Sequence, residues 1–480
     1  MKIHKLKIKI QPSSKRWLLR PFVPGNPFQV EHILTRILST KEKKLHHMYE
    51  RVFNKYKNTH PNIHEIFMKH FENVQHRIPF DRDLTQEMKL IIGAFFSHFY
   101  ALESTALFNP SIVLSPHQPA DGNIHFILSL RAVGEGHISS IVFREGMVHP
   151  DFEITMKDSS RFILEPQIKM ERKHQKERFI RNLTEAGALN EMSEIILAGL
   201  TDEFIFADLD KLLGAHNLST TKYEPFAIEE TLRIMKNIGL SNYDVLFENT
   251  EDISERVIFP MSPSQTNGIE DARFIRFEEE DGSFKYYATF TAFNGREVVP
   301  EILETKDFEH FKVSSLSGSV SKNKGMAIFP KKINGKYMML GRQDNESIYL
   351  MSSDDILHWS EAEPLLKPTF EWEFVQIGNC SSPIEIDEGW LVLTHGVGAL
   401  RRYCIGAVLL DKQNPRKVLG RLKKPLMEPK GEERYGYVPN VLYTCGAIAC
   451  NGRLIIPYAM SDSYTKFAQV AIQDILNEMV

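Results

Sequence analysis

Three segments in the C-terminal half of the chain repeat one plan: an apolar strand, an acidic turn and a short amphipathic return. ILETKDFEHFKVSSL, YLMSSDDILHWSEAEPLL and AVLLDKQNPRKVLGRLKKPL place these turns at Asp307, Asp355 and Asp411. A spacing of roughly 50 residues is the length of one four-stranded propeller blade. The constraint is strong, because each such sheet must bury both faces against its neighbours. A β-sandwich with turns at coincidental intervals is the alternative pattern. In a propeller, loops from every blade meet at one central pocket, so functional residues are expected to be scattered along the sequence.

The β pattern runs from Tyr243 to about Val470. It also covers the stretch after Phe108, where NPSIVLSP, IHFILSLRAVG and ISSIVFREG are short β-branched runs broken by Gly, Pro and Asn. Elsewhere the apolar spacing is helical. Val30, Ile33, Leu34, Ile37 and Leu38 recur on one face between Phe28 and about Asn58, and a second helix follows Pro61. A third is expected from about Leu84 to Leu107, with Leu90, Ile91, Ala94, Phe95, Phe99 and Leu102 on one stripe. Pro166 to about Ala215 and Ile228 to Ile238 read as a helical insertion or lid. The expected chain is mainly β, with an N-terminal strand and helical region over 1–104. A propeller over 105–480 follows, carrying the insertion at about 166–240.

Charge and cysteine content narrow the function. Lys and Arg number 58 against 62 Asp and Glu, a formal net charge of -4, so no field is available to hold a nucleic acid. Cys380, Cys404, Cys445 and Cys450 form no CxxC pair, which argues for reduced thiols and against a thiolate zinc site. MKIHKLKIKIQPSSKRW lacks the apolar centre of a signal peptide, and no run approaches the roughly 18 apolar residues of a membrane span. A soluble, cytoplasmic protein is expected, with no membrane partner. P-loop, HExxH and GxSxG signatures are missing. AVGEGHISS, with Gly134 and Gly136, lacks the third glycine and the helix of a dinucleotide loop. His46 and His47 diverge by about 100° on a charged helix, as surface residues do.

What remains are polar clusters in β surroundings. NGIEDARF carries Glu270, Asp271 and Arg273, either as a structural ion pair or as part of a site. Lys324 and Arg342 flank an expected hairpin with an Asn334–Gly335 turn. VLTHGVGALRRYCIGAVLLD adds His395, Arg401, Arg402 and Tyr403. Basic groups gathered near strand ends suggest a small anion site, with unrelated surface cations as the bland alternative.

The blocks GIEDARF, KNKGMAIFPKKINGKYMMLGR, IGNCSSPIEIDEGWLVLTHGVG, YCIGAVLLD, YVPNVLYTCGA and PYAMSDSYT, in that order, resemble glycoside hydrolase family 130. ALFNPSIVL with Arg131 resembles that family's first blade, and the helical additions fall outside its minimal pattern. The resemblance implies a five-bladed β-propeller acting on β-mannosides, by inverting phosphorolysis in most members and by hydrolysis in some. It implies Asp271 as the general acid, protonating the glycosidic oxygen through the sugar's own 3-hydroxyl. Asn109, Arg131 and Asp462 fall where the mannosyl unit is held, with Glu270 and Arg273 beside them on the substrate side. Lys324, Arg342, His395 and Tyr403 fall where phosphate is held. Inorganic phosphate would be the co-substrate, with no metal or other cofactor.

One departure concerns Gln376, which stands where the family's phosphorylases carry a lysine. Arg402 or its neighbour Arg401 is the candidate replacement, and Glu373 the candidate base if water is the nucleophile. An inverting reaction needs an acid on one face and a nucleophile on the other. Phosphate needs only to be positioned by cations. The acid must hold its proton, so a raised pKa is expected for Asp271, favoured by burial near Glu270 and opposed by Arg273. Phosphorolysis of a β-1,2-mannoside to α-mannose 1-phosphate is the leading reading. An inverting β-mannosidase and a noncatalytic glycan-binding propeller are the alternatives. The helical additions are expected to serve as a lid or a surface for self-association.

Overall fold

Strands with both faces apolar dominate the chain from residue 103 onward, as expected of sheets buried on both sides. The computed structural model describes residues 2–57, 60, 62–78, 83–215, 225–248 and 250–480, with 225–227 as backbone only. Asn58 and Pro61, named above at helix boundaries, lie outside the described residues. Within these bounds the described residues fall into two units, one within 2–13, 103–159 and 165–480 and the other within 14–102 and 160–164.

The larger unit holds five antiparallel sheets of four or more strands, which follow one another along the chain. The first contains Ala106–Leu114, Ile124–Val133 and Ser139–Val148, and the second Ile269–Glu278, Phe284–Phe293, Val298–Thr305 and His310–Ser315. The third contains Ala327–Ile328, Tyr337–Gly341, Ile348–Ser353 and Glu361–Leu366. The fourth is built on Gln376–Asn379, Gly389–Val397, Tyr403–Leu410 and Val418–Arg421. The fifth is built on Leu442–Tyr443, Arg453–Met460 and Tyr464–Ala471, and the N-terminal strand His4–Ile10 forms its outer edge.

The repeated acidic turns occupy one place in this plan, between the third and fourth strands of a sheet. Asp307 Oδ1 accepts from the backbone N–H of Glu309 and His310, Asp355 Oδ1 from Leu357, and Asp411 Oδ1 from Gln413 and Asn414. Asp151 does the same for Glu153 in the first sheet. Such Asx turns satisfy backbone donors that the reversing chain would otherwise leave unpaired.

Hydrophobic clusters join each sheet to the next. Phe143 meets Phe274, Phe308 and Phe311 between the first and second sheets. Tyr287 and Ile302 pack with Met339 and Trp359 between the second and third, and Leu340 and Phe329 with Trp390 between the third and fourth. Leu393 and Ile405 pack with Leu454 and Ile456 between the fourth and fifth. The fifth meets the first through Ala459 and Phe108. Buried aromatic and aliphatic side chains contribute about 1.5–3 kcal/mol each, so these seams are a major source of cohesion.

Helices Lys176–Glu185, Glu191–Ala198, Phe206–Ala215 and Pro225–Leu240 interrupt the larger unit between its first and second sheets and share a core of Phe179, Leu183, Ile196, Leu209 and Met235. The smaller unit packs Pro27–Leu38, Glu42–Tyr56, Ile63–Gln75 and Gln86–Phe95 around Leu34, Phe71, Val74 and Ile91. Its last helix stops well short of Leu107. The Ser97 hydroxyl donates to the Gly93 carbonyl at 2.7 Å, and Ser97–Glu103 continues as a strand paired with Ser13–Pro21. Phe99 and Leu102 therefore leave the helical stripe. No helix among the described residues is long and apolar enough to cross a membrane.

Candidate active site

The site is assembled from the strands and connecting loops of all five sheets. Asn109 and Asp271 hold matching positions in the first and second sheets. Each sits in a bulge of the first strand, where pairing skips between Phe108 and Ser111 and between Glu270 and Arg273. Both have left-handed backbone, at φ 47° and 54°. Asn and Asp tolerate that region better than most side chains, and a bulge turns the side chain out of the sheet's alternation. Asn109 Nδ2 donates to Asp271 Oδ1. Asp462, at φ 48°, lies in the turn after the second strand of the fifth sheet.

Around these carboxylates the charges are matched. Arg131 Nη2 donates to Glu270 Oε1 at 2.7 Å, and its Nη1 lies 3.6 Å from Asp271 Oδ1. Lys324 Nζ takes the other Glu270 oxygen at 2.5 Å. Arg273 is enclosed, with all its groups engaged: Nε on the Cys380 carbonyl at 3.0 Å, Nη1 on the Asp271 carbonyl at 2.8 Å, and Nη2 on Tyr443 Oη at 2.7 Å. It ties the second, fourth and fifth sheets together beneath Asp271, as a strut and not as a substrate contact.

The third and fourth sheets supply a different grouping. Arg342 Nη1 lies 3.2 Å from His395 Nε2, and the His395 ring stacks on Tyr403 at 5.8 Å and meets Tyr443 edge-on at 5.0 Å. Burial and the charges of Arg342 and Arg273 hold His395 well below its ordinary pKa, so it is a neutral imidazole. The Gln376 amide reaches His395 Nε2 at 3.1 Å and, turned over, sets its oxygen against Arg342. Arg342 makes no ion pair among the described residues, and its buried Nε has no partner. Asn379 and Gly378 complete the wall. A Cβ at Gly378 would stand 2.4 Å from the His395 ring, so only glycine admits that imidazole.

Two expected members do not join. Glu373 is fully buried, and its Oε1 accepts from the N–H of Thr369 and Phe370 and from Arg421 Nη2 at 2.6 Å. It fastens the loop ahead of Gln376 and is not placed as a base. Arg402 turns to Glu428, with Nη1 3.2 Å from the carboxylate. Arg401 is exposed and acts electrostatically on Asp462.

The pKa pattern reverses the expectation for Asp271. Burial acts to raise its pKa, but Arg273, Arg131, Lys324 and the Asn109 amide outweigh it and hold the carboxyl below its ordinary value. Glu270 cannot push the proton on, because Arg131 and Lys324 already take up its charge. Asp462 is the carboxyl pushed up, to about 7, by burial and by Asp271. Sequence reasoning missed Tyr443 and Asn379 in their supporting roles, although both lie in the quoted blocks YVPNVLYTCGA and IGNCSSP. No group of three or more metal-ligating side chains occurs among the described residues.

The described geometry thus sets paired carboxylates and cations beside one arginine, Arg342, that has no ion pair among the described residues. Residues 229–480 match the family model described as beta-1,4-mannooligosaccharide phosphorylase, and the chain belongs to glycoside hydrolase family 130. It is 34% identical over 232 residues to a beta-1,2-mannobiose phosphorylase of Listeria innocua. That match covers 46% of this chain and 63% of the relative, less than two thirds of its length. A 1,2-beta-oligomannan phosphorylase of Thermoanaerobacter is 34% identical over 215 residues, 44% of this chain and 71% of that protein. The solved Listeria innocua beta-1,2-mannobiose phosphorylase in complex with beta-1,2-mannobiose is 22% identical. It covers 79% of this chain and 92% of that one, with a TM-score of 0.45.

Proposed function

We propose that the chain is an inverting β-mannoside phosphorylase that cleaves a β-1,2-linkage with inorganic phosphate to give α-mannose 1-phosphate. The observation that carries this reading is Arg342: a cation without an ion-pair partner among the described residues, beside neutral His395 and Tyr403. That grouping suits a phosphate, whose oxygens accept charge-assisted hydrogen bonds. The β-1,2 assignment is supported by the names of the two relatives above. Five sheets, each packed on the next and the fifth on the first, support a five-bladed propeller. Four free, buried cysteines support a cytoplasmic location.

In this scheme the mannosyl unit lies against Asn109, Arg131 and Asp462, and phosphate lies against Arg342, His395 and Tyr403, with Lys324 between the two. Asp271 gives its proton to the glycosidic oxygen by way of the sugar's 3-hydroxyl as a phosphate oxygen attacks the anomeric carbon from the opposite face. The leaving alcohol takes that proton. The phosphate loses its own proton on becoming an ester, which restores Asp271. The low pKa of Asp271 belongs to the site without ligand, where Arg273, Arg131 and Lys324 surround its carboxylate. A bound phosphate dianion offsets that field and raises the pKa toward the value an acid needs.

Hydrolysis is the weaker reading, because Glu373, the carboxylate expected to activate water, is held by Arg421 and two backbone amides. A binding module would keep its sugar affinity but lack turnover. Replacing Asp271 with Asn tests this: loss of phosphate-dependent cleavage with sugar binding kept supports the enzyme, and unchanged cleavage refutes the role.

A further inference from the structure

The helical insertion, which the family's sequence blocks do not include, leaves a groove of about 490 Å³ against the second sheet and the loop that follows it. That volume lies within the roughly 300–1,000 Å³ range of small-molecule sites. One wall is formed by helices Lys176–Glu185 and Pro225–Leu240. The other is formed by the turn at 294–297 and the loop at 315–321 that leads to Lys324. Glu185 Oε2 accepts from the Gly318 N–H at 2.7 Å, so helix and loop are fastened together at the rim.

Two residues on opposite walls each carry a buried polar atom with no hydrogen-bond partner among the described residues: Asn182 Oδ1 on the helix and Ser321 Oγ on the loop. Buried polar atoms are normally satisfied, so this pair is suited to a ligand bringing its own donors and acceptors. The remaining lining sets the class of ligand. Arg233 is taken by Glu230 at 2.6 Å, and Glu297 adds another carboxylate, so the described residues of the lining offer no spare cation for phosphate or nucleic acid. Ile234 and Val299 supply aliphatic surface between the polar groups. Neutral hydroxyls around C–H faces, the pattern of a pyranose, match that alternation.

We infer that this groove is a second carbohydrate site, which holds neutral mannosyl units of an oligosaccharide apart from the Asp271 cluster. The choice of mannosyl units rests on the β-mannoside reading above. Because Ser321 lies three residues before Lys324, the groove shares a loop with the proposed reaction centre.

The test is calorimetric titration of the full-length chain with β-1,2-mannotetraose in the absence of phosphate. Wild type is compared with Asn182→Ala on one wall and Glu297→Ala on the other. The expected result is saturable binding to wild type, weakened about tenfold in both variants by the loss of hydrogen bonds. Wild-type affinity in both variants, or no binding to wild type, overturns the inference. Thermal melts check that each variant is folded. A separate assay of phosphate-dependent β-1,2-mannobiose cleavage reports on the catalytic reading alone. If that assay is silent while tetraose binding still depends on Asn182 and Glu297, the reading falls and the groove stands.

Discussion

On the first, second and fifth sheets, the cluster around Asp271 pairs its charges: Arg131 and Lys324 span Glu270, and Arg273 underpins Asp271. On the third and fourth sheets, Arg342 has no carboxylate, Gln376 contributes a neutral amide and His395 is kept neutral. The difference indicates which half is complete without a ligand. A balanced cluster can bind and orient hydroxyls with little change in charge. An unbalanced one is stabilised by the arrival of an anion. The proposed division of labour, with sugar on one side and phosphate on the other, follows from that asymmetry.

The largest effect that could break the comparison is at Asp271. Asp271→Asn is expected to lower kcat by about 10²–10⁴-fold, the contribution typical of a general acid, in a discontinuous assay of sugar phosphate. A loss smaller than tenfold would remove Asp271 from the chemistry. Next comes Arg342→Ala, which is expected to raise the KM for phosphate by about 10–100-fold through loss of charge-assisted hydrogen bonds. Equal weakening of mannoside binding would erase the distinction between the halves. Gln376→Lys sharpens the comparison from the other side. Adding a cation there is expected to lower the KM for phosphate several-fold, with the gain shrinking at high salt.

A pH effect separates the two carboxyls. Asp462 stands at about 7 in the folded chain against an ordinary value of 3.8, so the folded state holds a proton that the unfolded state has lost. Its stabilising contribution is full below about pH 4 and falls as pH rises to about 7. Glu301, buried against Ser264 and Gln265, is also raised to about 7 and adds to the slope. Urea midpoints between pH 5 and 8 are expected to flatten by about half in Asp462→Asn, the rest belonging to Glu301. An unchanged slope would place the Asp462 proton elsewhere. The smallest effect is at Arg402, whose half-exposed pair with Glu428 is worth about 0–1 kcal/mol; Arg402→Ala is expected to leave phosphate kinetics unchanged.

Much of the architecture was legible because it depends on local chemistry. The Asn334–Gly335 turn forms as expected, with both residues at positive φ. The acidic turns mark equivalent corners of successive sheets, and the pattern extends to Asp151. The helix expected to reach Leu107 ends early because apolar residues at helical spacing in FFSHFYALE also satisfy a period of two. Within the site, Asn109, Arg131, Glu270 and Asp271, singled out from the blocks, lie within contact of one another. Side-chain direction was not legible. Nothing in WEFVQIGN shows that Glu373 turns toward Arg421, nor in ALRRYC that Arg402 turns to Glu428. The Asp271 pKa failed for the same reason: beside Arg273, its lowering involves Arg131 and Lys324, which lie more than fifty residues away in sequence and meet it only through the fold.

The central claim is that the unbalanced half of the site receives phosphate as the nucleophile. Incubating the purified chain with β-1,2-mannobiose, with and without inorganic phosphate, tests it directly. Mannose 1-phosphate formed only in the presence of phosphate is the expected result. Free mannose released at the same rate in both incubations would contradict it.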